Sequence, residues 1–206
     1  MELYIARHGE TESNAVRRMQ GGYKDTPLTQ RGITQAKKLT EEIKNIEFDA
    51  IYSSPLKRAM DTARIAFGDD KLFEARALTD SRLLEIGVGE AEDMIWDDAK
   101  EAFPGMVTMM VDPAIYVPPP GGEALQDMVA RIDSFLTELA AKPYNKVFVM
   151  AHGYVLRVVY ACSLDKSVAD IGKSPIFDNC ALVRYRFDKG RWNLEHYEQK
   201  DTHHSW

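Results

Sequence analysis

Two apolar runs in this chain, residues 3–6 and 147–151, break off in the same way: Tyr4-Ile5-Ala6-Arg7-His8-Gly9 near the start, and Val149-Met150-Ala151-His152-Gly153 much later. Neither run alternates apolar with polar residues. That is the pattern of strands covered on both faces, and such strands belong to parallel sheets flanked by helices. In open sheets of this kind, ligands bind beyond the carboxyl ends of the strands, near the point where strand order reverses. A histidine at that position on two strands, each followed by a glycine whose backbone lets a ligand come close, therefore constrains both the architecture and the site. One such histidine reads best as a satisfied structural residue. Two at equivalent strand ends, one with an adjacent arginine, read better as parts of one site.

The remaining periodicity agrees with that architecture. Ile33, Ala36, Leu39 and Ile43 recur at helical spacing. Residues 49–52 read as a second strand, and Pro55 is expected to open a helix running through Ala59, Thr62 and Ala63 to about Phe67, closed by Gly68-Asp69-Asp70. A third strand is expected over residues 74–78. Between residues 83 and 120 the pattern is irregular: a short helix over 94–103, an apolar cluster (Met106, Val107, Met109, Met110, Val111) and the Pro118-Pro119-Pro120-Gly121-Gly122 breaker. A helix through Leu125, Met128, Val129, Ile132, Phe135, Leu136 and Leu139 follows, and another over residues 154–162. Residues 182–187 and 192–197 alternate with period two around Asp188-Lys189-Gly190, a hairpin. The expected fold is α/β, a three-layer sandwich: a mostly parallel central sheet, helices on both faces and an antiparallel edge hairpin. Residues 1–206 read as one domain, with residues 86–120 as a lid segment.

Charge narrows the function. With 26 Lys and Arg against 32 Asp and Glu, the net charge is −6, which disfavours nucleic-acid and membrane-surface binding. An acidic chain that takes an anionic substrate must concentrate positive charge in one place. Arg7 is one candidate and Arg58 another, in the first turn of the helix that follows a strand, near the positive end of its dipole. The two cysteines, Cys162 and Cys180, lie in apolar runs without metal-ligand spacing and are expected to be buried thiols. His203-His204 reads as a tail rather than a metal site. No apolar segment is long enough to span a membrane and the start of the chain lacks a signal-peptide pattern, so a cytoplasmic location is expected.

The stretch Arg7-His8-Gly9-Glu10-Thr11-Glu12-Ser13-Asn14 strongly resembles the signature of the histidine phosphatase superfamily, the phosphoglycerate mutase-like enzymes. The likeness continues through Gln20-Gly21, Asp25, Pro27-Leu28-Thr29, Gly32, Gln35-Ala36 and the run from Ser53 to Thr62. It returns at Leu84-Glu85, Gly121-Gly122-Glu123 and Ala151-His152-Gly153. The resemblance implies that His8 is the nucleophile, that Arg7, Arg58, His152 and Asn14 clamp the phosphoryl group, and that Glu85 gives and takes the proton. Gln20, Gly21 and Gly153 are expected to line the phosphate site. The chemistry is coherent. A neutral imidazole can attack phosphorus if its other nitrogen donates to a fixed acceptor, and guanidinium forks match the charge gathering on the equatorial oxygens. Losing one such donor typically costs roughly 3–4 kcal/mol in the barrier. From the residues alone, Glu85 could equally be a surface carboxylate beside Arg82, with Glu90 and Glu92 as competitors. The chain departs from the family pattern at Ala91 and Asp93, where relatives carry tryptophan and glycine, and at Ala124, where they carry serine.

Other chemistries fit less well. Cys180 and Arg186 have Cys-x5-Arg spacing, but the residues between them alternate like a strand, which would separate the pair by about 20 Å. A Gly-x-Ser-x-Gly elbow and a phosphate-binding Gly-x4-Gly-Lys loop are both absent. Within the family, Ile86-Gly87-Val88-Gly89 and the modest segment after it favour a phosphomonoester hydrolase over a mutase, which needs more substrate-covering chain. The expected partner is a small phosphorylated metabolite, with no cofactor and no metal. Trp96, Phe103, Met106, Met109, Met110 and Tyr116 suggest a substrate with some nonpolar surface, unless they are ordinary core. The alternatives are a cofactor-dependent phosphoglycerate mutase, a sugar-phosphate phosphatase, an alpha-ribazole phosphatase of cobalamin synthesis, or a non-catalytic phosphate-binding regulator.

Overall fold

Alternate residues of the first strand leave the sheet in opposite directions, and both sets are covered. In a computed structural model describing residues 1–68, 73, 76–164 and 167–197, strand β1 (Glu2–Arg7) sends Leu3 and Ile5 into one apolar cluster and Tyr4 and Ala6 into another. The neighbouring strand β4 (Lys146–Ala151) does the same, Val147 and Val149 to one side, Phe148 and Met150 to the other. Burial of each of the larger side chains among these contributes about 1.5–3 kcal/mol, and a one-residue slip in register would move every one of them to the wrong face.

The first face is covered by α6 (Leu125–Ala140) and α7 (Gly153–Cys162), the second by α2 (Gln30–Ile43) and α3 (Lys57–Phe67). With β2 (Ala50–Ser53), β3 (Ala77–Thr79), β5 (Leu182–Asp188) and β6 (Arg191–Tyr197), the sheet order is β3-β2-β4-β1-β5-β6. The first four strands are parallel and β5 and β6 run antiparallel at one edge. This is the expected three-layer α/β sandwich. Lys189 and Gly190 both have positive φ, 50° and 80°, as a two-residue hairpin matching the strand twist requires. The chain leaves β1 for β2 and β3, then returns to insert β4 between β2 and β1. The carboxyl ends of β1, β4 and β2 are thereby brought side by side.

Several boundaries differ from expectation. Pro55 does not open α3: Leu56 is an extended N-cap and the helix starts at Lys57. The third strand is Ala77–Thr79 rather than residues 74–78, with Ala77 opposite Ile51 and Thr79 opposite Ser53; Asp69, Asp70, Glu74 and His203-His204 lie outside the described residues. The helix expected over 94–103 is α4 (Trp96–Ala102), because Pro104 disfavours helical geometry at Phe103, which has φ −131° and ψ 69°. Beyond it, α5 (Thr108–Val111) and two single 3-10 turns make up the irregular segment. Asp93 sits at φ 72°, which explains glycine at that position in the family pattern; aspartate is among the few side chains that tolerate this region. Cys162 and Cys180 are buried, and Arg186 is exposed on β5 against Glu195, so no cysteine–arginine phosphate loop exists there.

Candidate active site

His8 follows the last residue of β1, and its amide donates to the Ala151 carbonyl at 3.0 Å, which ties it to the end of β4. His152 follows β4 directly, and the two rings meet edge to face with centroids 5.2 Å apart. The His8 Nδ1 lies 2.7 Å from the Gly9 carbonyl oxygen, while the Arg58 Nε–H points at His8 Nε2 from 3.3 Å. A carbonyl can only accept and a guanidinium can only donate. The two contacts therefore select the tautomer with hydrogen on Nδ1 and a lone pair on Nε2. Burial, then the charges of Arg58 and Arg7, hold the His8 imidazole well below its ordinary pKa, so the ring is neutral. Burial and Arg58 do the same to His152, whose Nε2 meets Ser54 Oγ at 2.7 Å. Ser54 extends the end of β2, so three adjacent strands contribute.

Gly9 is needed for close approach. A Cβ there would lie 2.7 Å from the Gly32 carbonyl oxygen, and one on Gly32 would lie 2.1 Å from that of Glu10. The loop after β1 can therefore rest directly on the first turn of α2, whose N-cap Thr29 also donates to Glu10 Oε1 at 2.8 Å. The Gly9 amide is held at 3.0 Å by Thr62 Oγ1, which in turn donates to the Arg58 carbonyl.

Arg58, 1% exposed, is caged by the loop after residue 20. Its Nη1 donates to the Lys24 carbonyl (2.9 Å) and to Asp25 Oδ1 (3.1 Å), and its Nη2 to the Gly21 carbonyl (2.8 Å). Gly21 thus faces Arg58 and does not line the cavity beside His8. Its amide goes to Glu92 Oε1 at 2.9 Å. Gln20 does line the cavity, but its side chain is engaged by Thr11 Oγ1 and Thr26 Oγ1. Asn14 also lines it, with Oδ1 accepting from Thr11 N and Asn179 Nδ2, which turns the Asn14 amide group into the remaining donor. Gly153, the first residue of α7, packs under the Arg7 guanidinium, where a Cβ would come within 3.3 Å of Arg7 Nε. Arg7 Nη1 donates to the Phe177 carbonyl at 2.6 Å. Arg7 Nε and His152 Nδ1 are buried without a hydrogen-bond partner among the described residues.

Glu85 stands on the cavity wall, and its competitors do not. Its Oε1 accepts from the Ile86 amide (3.0 Å) and its Oε2 from the Tyr154 amide at the start of α7 (3.1 Å). Burial raises its pKa against the opposing pull of those amides and of Arg58 and Arg7. Arg82 is not its partner, being taken by Asp80 and Glu138. Glu92 braces Gly21 and Lys24, and Glu90 is exposed. The backbone carrying Glu85 is held from behind by Arg131 of α6, which donates to the Arg82 and Leu84 carbonyls and pairs with Glu123 at 2.6 Å.

The rest of the cavity is lined by Met19, Ile86, Val88, Trp96, Met109, Met110, Tyr154, Arg157, Ile176 and Phe177, with Arg18 at its exposed edge. The six residues singled out as a nonpolar surface divide. Trp96, Met109 and Met110 face the cavity, Met106 is core, and Phe103 and Tyr116 pack against the core. Sequence reasoning missed the loop before β5. There Asn179 Nδ2 donates to the His8 carbonyl at 3.0 Å and the Cys180 amide to the Arg7 and His8 carbonyls, with Cys180 at φ 56°. Only the polar pair Asp178-Asn179 between the apolar Phe177 and Cys180 signals it. Asp25, Ser54, Thr62 and Arg131 were also missed as supports. Among the described residues, no group of three or more His, Cys, Asp or Glu could hold a metal ion, and no helix is long and apolar enough to cross a membrane.

Two buried histidines, two buried arginines and a carboxyl group converge at the ends of parallel strands, an arrangement whose donors and ring nitrogens are chemically suited to a tetrahedral anion. The profile of the histidine phosphatase superfamily (branch 1) matches residues 3–200, and the chain belongs to that superfamily of enzymes. Phosphoserine phosphatase 1 of Hydrogenobacter thermophilus is 34% identical over 165 residues, covering 80% of this chain and 76% of that protein. A Salmonella choleraesuis protein described as "Probable phosphoglycerate mutase GpmB" is 31% identical over 196 residues, 93% of this chain and 87% of the other. Among solved structures, Bacillus stearothermophilus YhfR superposes with a TM-score of 0.84 at 28% identity, covering 94% of both chains. A mycobacterial glucosyl-3-phosphoglycerate phosphatase complexed with VO3 superposes with 0.82 at 28%, covering 94% of this chain and 96% of the other.

Proposed function

We propose that this enzyme hydrolyses a small phosphomonoester in two steps through a phosphohistidine at His8. The observation that carries the reading is the His8 tautomer: Nδ1–H held by the Gly9 carbonyl and a lone pair on Nε2, facing Arg58 beside the cavity. In the first step Nε2 bonds to phosphorus as the ester P–O bond breaks, and protonated Glu85 gives its proton to the departing oxygen. In the second, water attacks phosphorus as the P–Nε2 bond breaks, and the Glu85 carboxylate takes the water proton. His8 returns neutral and inorganic phosphate leaves.

Arg7, Arg58, His152 and Asn14 hold the phosphoryl oxygens in this scheme. The unpartnered Arg7 Nε and His152 Nδ1 support it, since an unpaired buried polar atom costs about 1–3 kcal/mol that a bound oxyanion relieves. The raised pKa of Glu85 supports its role as acid. Gln20 and Gly21 act as braces of Thr11, Thr26 and Arg58, and Gly153 lets Arg7 come close to the start of α7. Residues 1–206 act as one domain, residues 86–120 serve as its lid, and the substrate is a small phosphorylated metabolite.

Phosphate release from a panel of phosphomonoesters, compared between the wild type and His8→Ala, tests this. Release by the wild type that drops on the order of 10⁵-fold in the variant is expected, and acid-labile phosphate should be trapped on the wild type alone. No release from any ester, or undiminished release by His8→Ala, overturns the reading. A mutase remains distinguishable: with 3-phosphoglycerate and its bisphosphate primer, only a mutase yields the 2-isomer.

A further inference from the structure

Three arginines are buried among the described residues, and their partners differ. Arg58 is paired with Asp25. Arg7 lines the cavity, forms no ion pair among the described residues, and is accounted for by the phosphoryl group. Arg157, 3% exposed, is the third: it also lines the cavity and has no carboxylate partner among the described residues, and the proposed reaction does not use it.

Arg157 lies three residues after Tyr154 on α7, so the two share a helix face, and its guanidinium sits 5.1 Å from the Tyr154 ring centroid. The Tyr154 amide is the one that holds Glu85 Oε2, so Arg157 is about one helical turn farther along the same wall. Its Nε donates to Ser174 Oγ at 2.9 Å and its Nη2 to the Ile171 carbonyl at 3.2 Å, which fixes the plane of the guanidinium. Nη1 meets the Met109 carbonyl at 3.5 Å, a long contact, and Met110 Sδ at 3.4 Å, an ordinary length for the weak acceptor sulfur, and Nη2 adds a long contact of 3.4 Å to the Met110 carbonyl. Both methionines line the cavity. Each N–H thus has an acceptor, but along this edge the acceptors are neutral, and a planar carboxylate would offer the planar fork shorter, charge-assisted bonds.

We infer that Arg157 receives a second anionic group of the substrate, a carboxylate carried near the phosphate, and so selects compact phosphomonoesters that bear a carboxylate. This deepens the hydrolytic reading and rests on it. The anchored edge (Ser174, Ile171) orients the fork, while the loosely held edge exchanges its methionine contacts for the carboxylate. Arg157 is thus a specificity residue in this scheme, apart from the reacting atoms.

The test compares O-phosphoserine with O-phosphoethanolamine, which differ by one carboxylate. The wild type is expected to favour phosphoserine in kcat/KM by about 10²-fold. Arg157→Met should reduce that ratio to below about threefold, whereas Arg18→Ala, at the exposed edge of the cavity, should preserve it. A merely structural role for Arg157 would lower both rates and leave the ratio intact. If Arg157→Met does not fold, Arg157→Lys reads the same ratio with the charge kept and the fork removed. A wild-type ratio near one, a ratio unchanged in the Arg157 variants, or one abolished by Arg18→Ala alone overturns the inference. Phosphate release from neither ester, with release from other members of the panel, overturns the inference and leaves the hydrolytic reading standing; release from no member overturns the hydrolytic reading instead, and calorimetric binding of the two esters then makes the same comparison without turnover.

Discussion

At the His8 end of the cavity, the polar groups hang from the ends of strands or from the first turn of the following helix, whereas the opposite wall comes from short helices between residues 86 and 120 and from one face of α7. His8, His152 and Ser54 are placed by the register of β1, β4 and β2, and Arg58 by the first turn of α3. Trp96, Met109 and Met110 are placed by packing between pieces of at most seven residues. The first arrangement cannot shift without moving a strand whose two faces are buried. The second can exchange side chains at the cost of local contacts alone. A chemistry that needs sub-ångström placement belongs at the first end and substrate choice at the second.

Perturbing the two ends should therefore have effects of different kind and size. The largest, after loss of His8 itself, is expected at Arg58. Arg58→Met removes the donor facing Nε2 and leaves Asp25 unpaired, and kcat should fall about 10²–10³-fold, measured by phosphate release under saturating ester. Arg58→Lys should not rescue it, because one ammonium cannot serve the Gly21 and Lys24 carbonyls and His8 together.

Glu85→Gln should come next, with a loss of roughly 10²-fold in turnover of an alkyl phosphate; with nitrophenyl phosphate, whose leaving group needs no proton, a first burst of nitrophenol should persist while turnover stays limited by the unassisted attack of water. The pH profile carries the sign. His8, with its pKa lowered, is lost as nucleophile only on acidification well below the ordinary imidazole range. Glu85, with its pKa raised, is lost as acid as pH climbs above the ordinary carboxylate range. The alkyl-phosphate profile of the wild type should bear both limbs, and Glu85→Gln should lack the alkaline one. An unchanged alkaline limb would assign it to another group.

At the opposite wall the effect should move from kcat to KM. Trp96→Ala is expected to raise KM about 10-fold with kcat within threefold, since it removes apolar contact made equally in ground and transition states. A kcat effect as large as that of Arg58→Met would erase the distinction between the two ends. The smallest change tests the scaffold. Ala124 is the N-cap of α6 and supplies no side-chain acceptor, unlike Thr29 at α2. Ala124→Ser should stabilise the protein by about 1 kcal/mol in denaturant unfolding with activity unaltered.

The same division separates what could be read in advance from what could not. The strand ends were legible because a doubly buried strand is a continuous apolar run, and its end in His-Gly is a local pattern. The third strand was misplaced by a few residues because its three residues leave little periodicity to read. Pro55 does not open the helix because the Ser54 amide is still bonded to the Met150 carbonyl across the sheet, and the chain then bends at Pro55 and Leu56 before α3 begins. The apolar residues of the irregular segment could not be sorted into cavity wall and core, since short helices of different orientation share no common period.

The sequence by itself determined the alternation of strands and helices, the sheet they build, and the equivalence of His8 and His152, all of which depend on neighbours along the chain. Only the tertiary structure decided which carboxylate reaches the cavity, that Gly21 faces Arg58, that Asn179 holds the His8 carbonyl across 171 positions, and that Arg157 reaches the cavity with no carboxylate partner among the described residues. Those outcomes turn on where hydrogen bonds close between distant segments. A donor or acceptor buried by folding must take whichever partner the packing of the sheet brings within about 3 Å, and no local pattern records which one that will be.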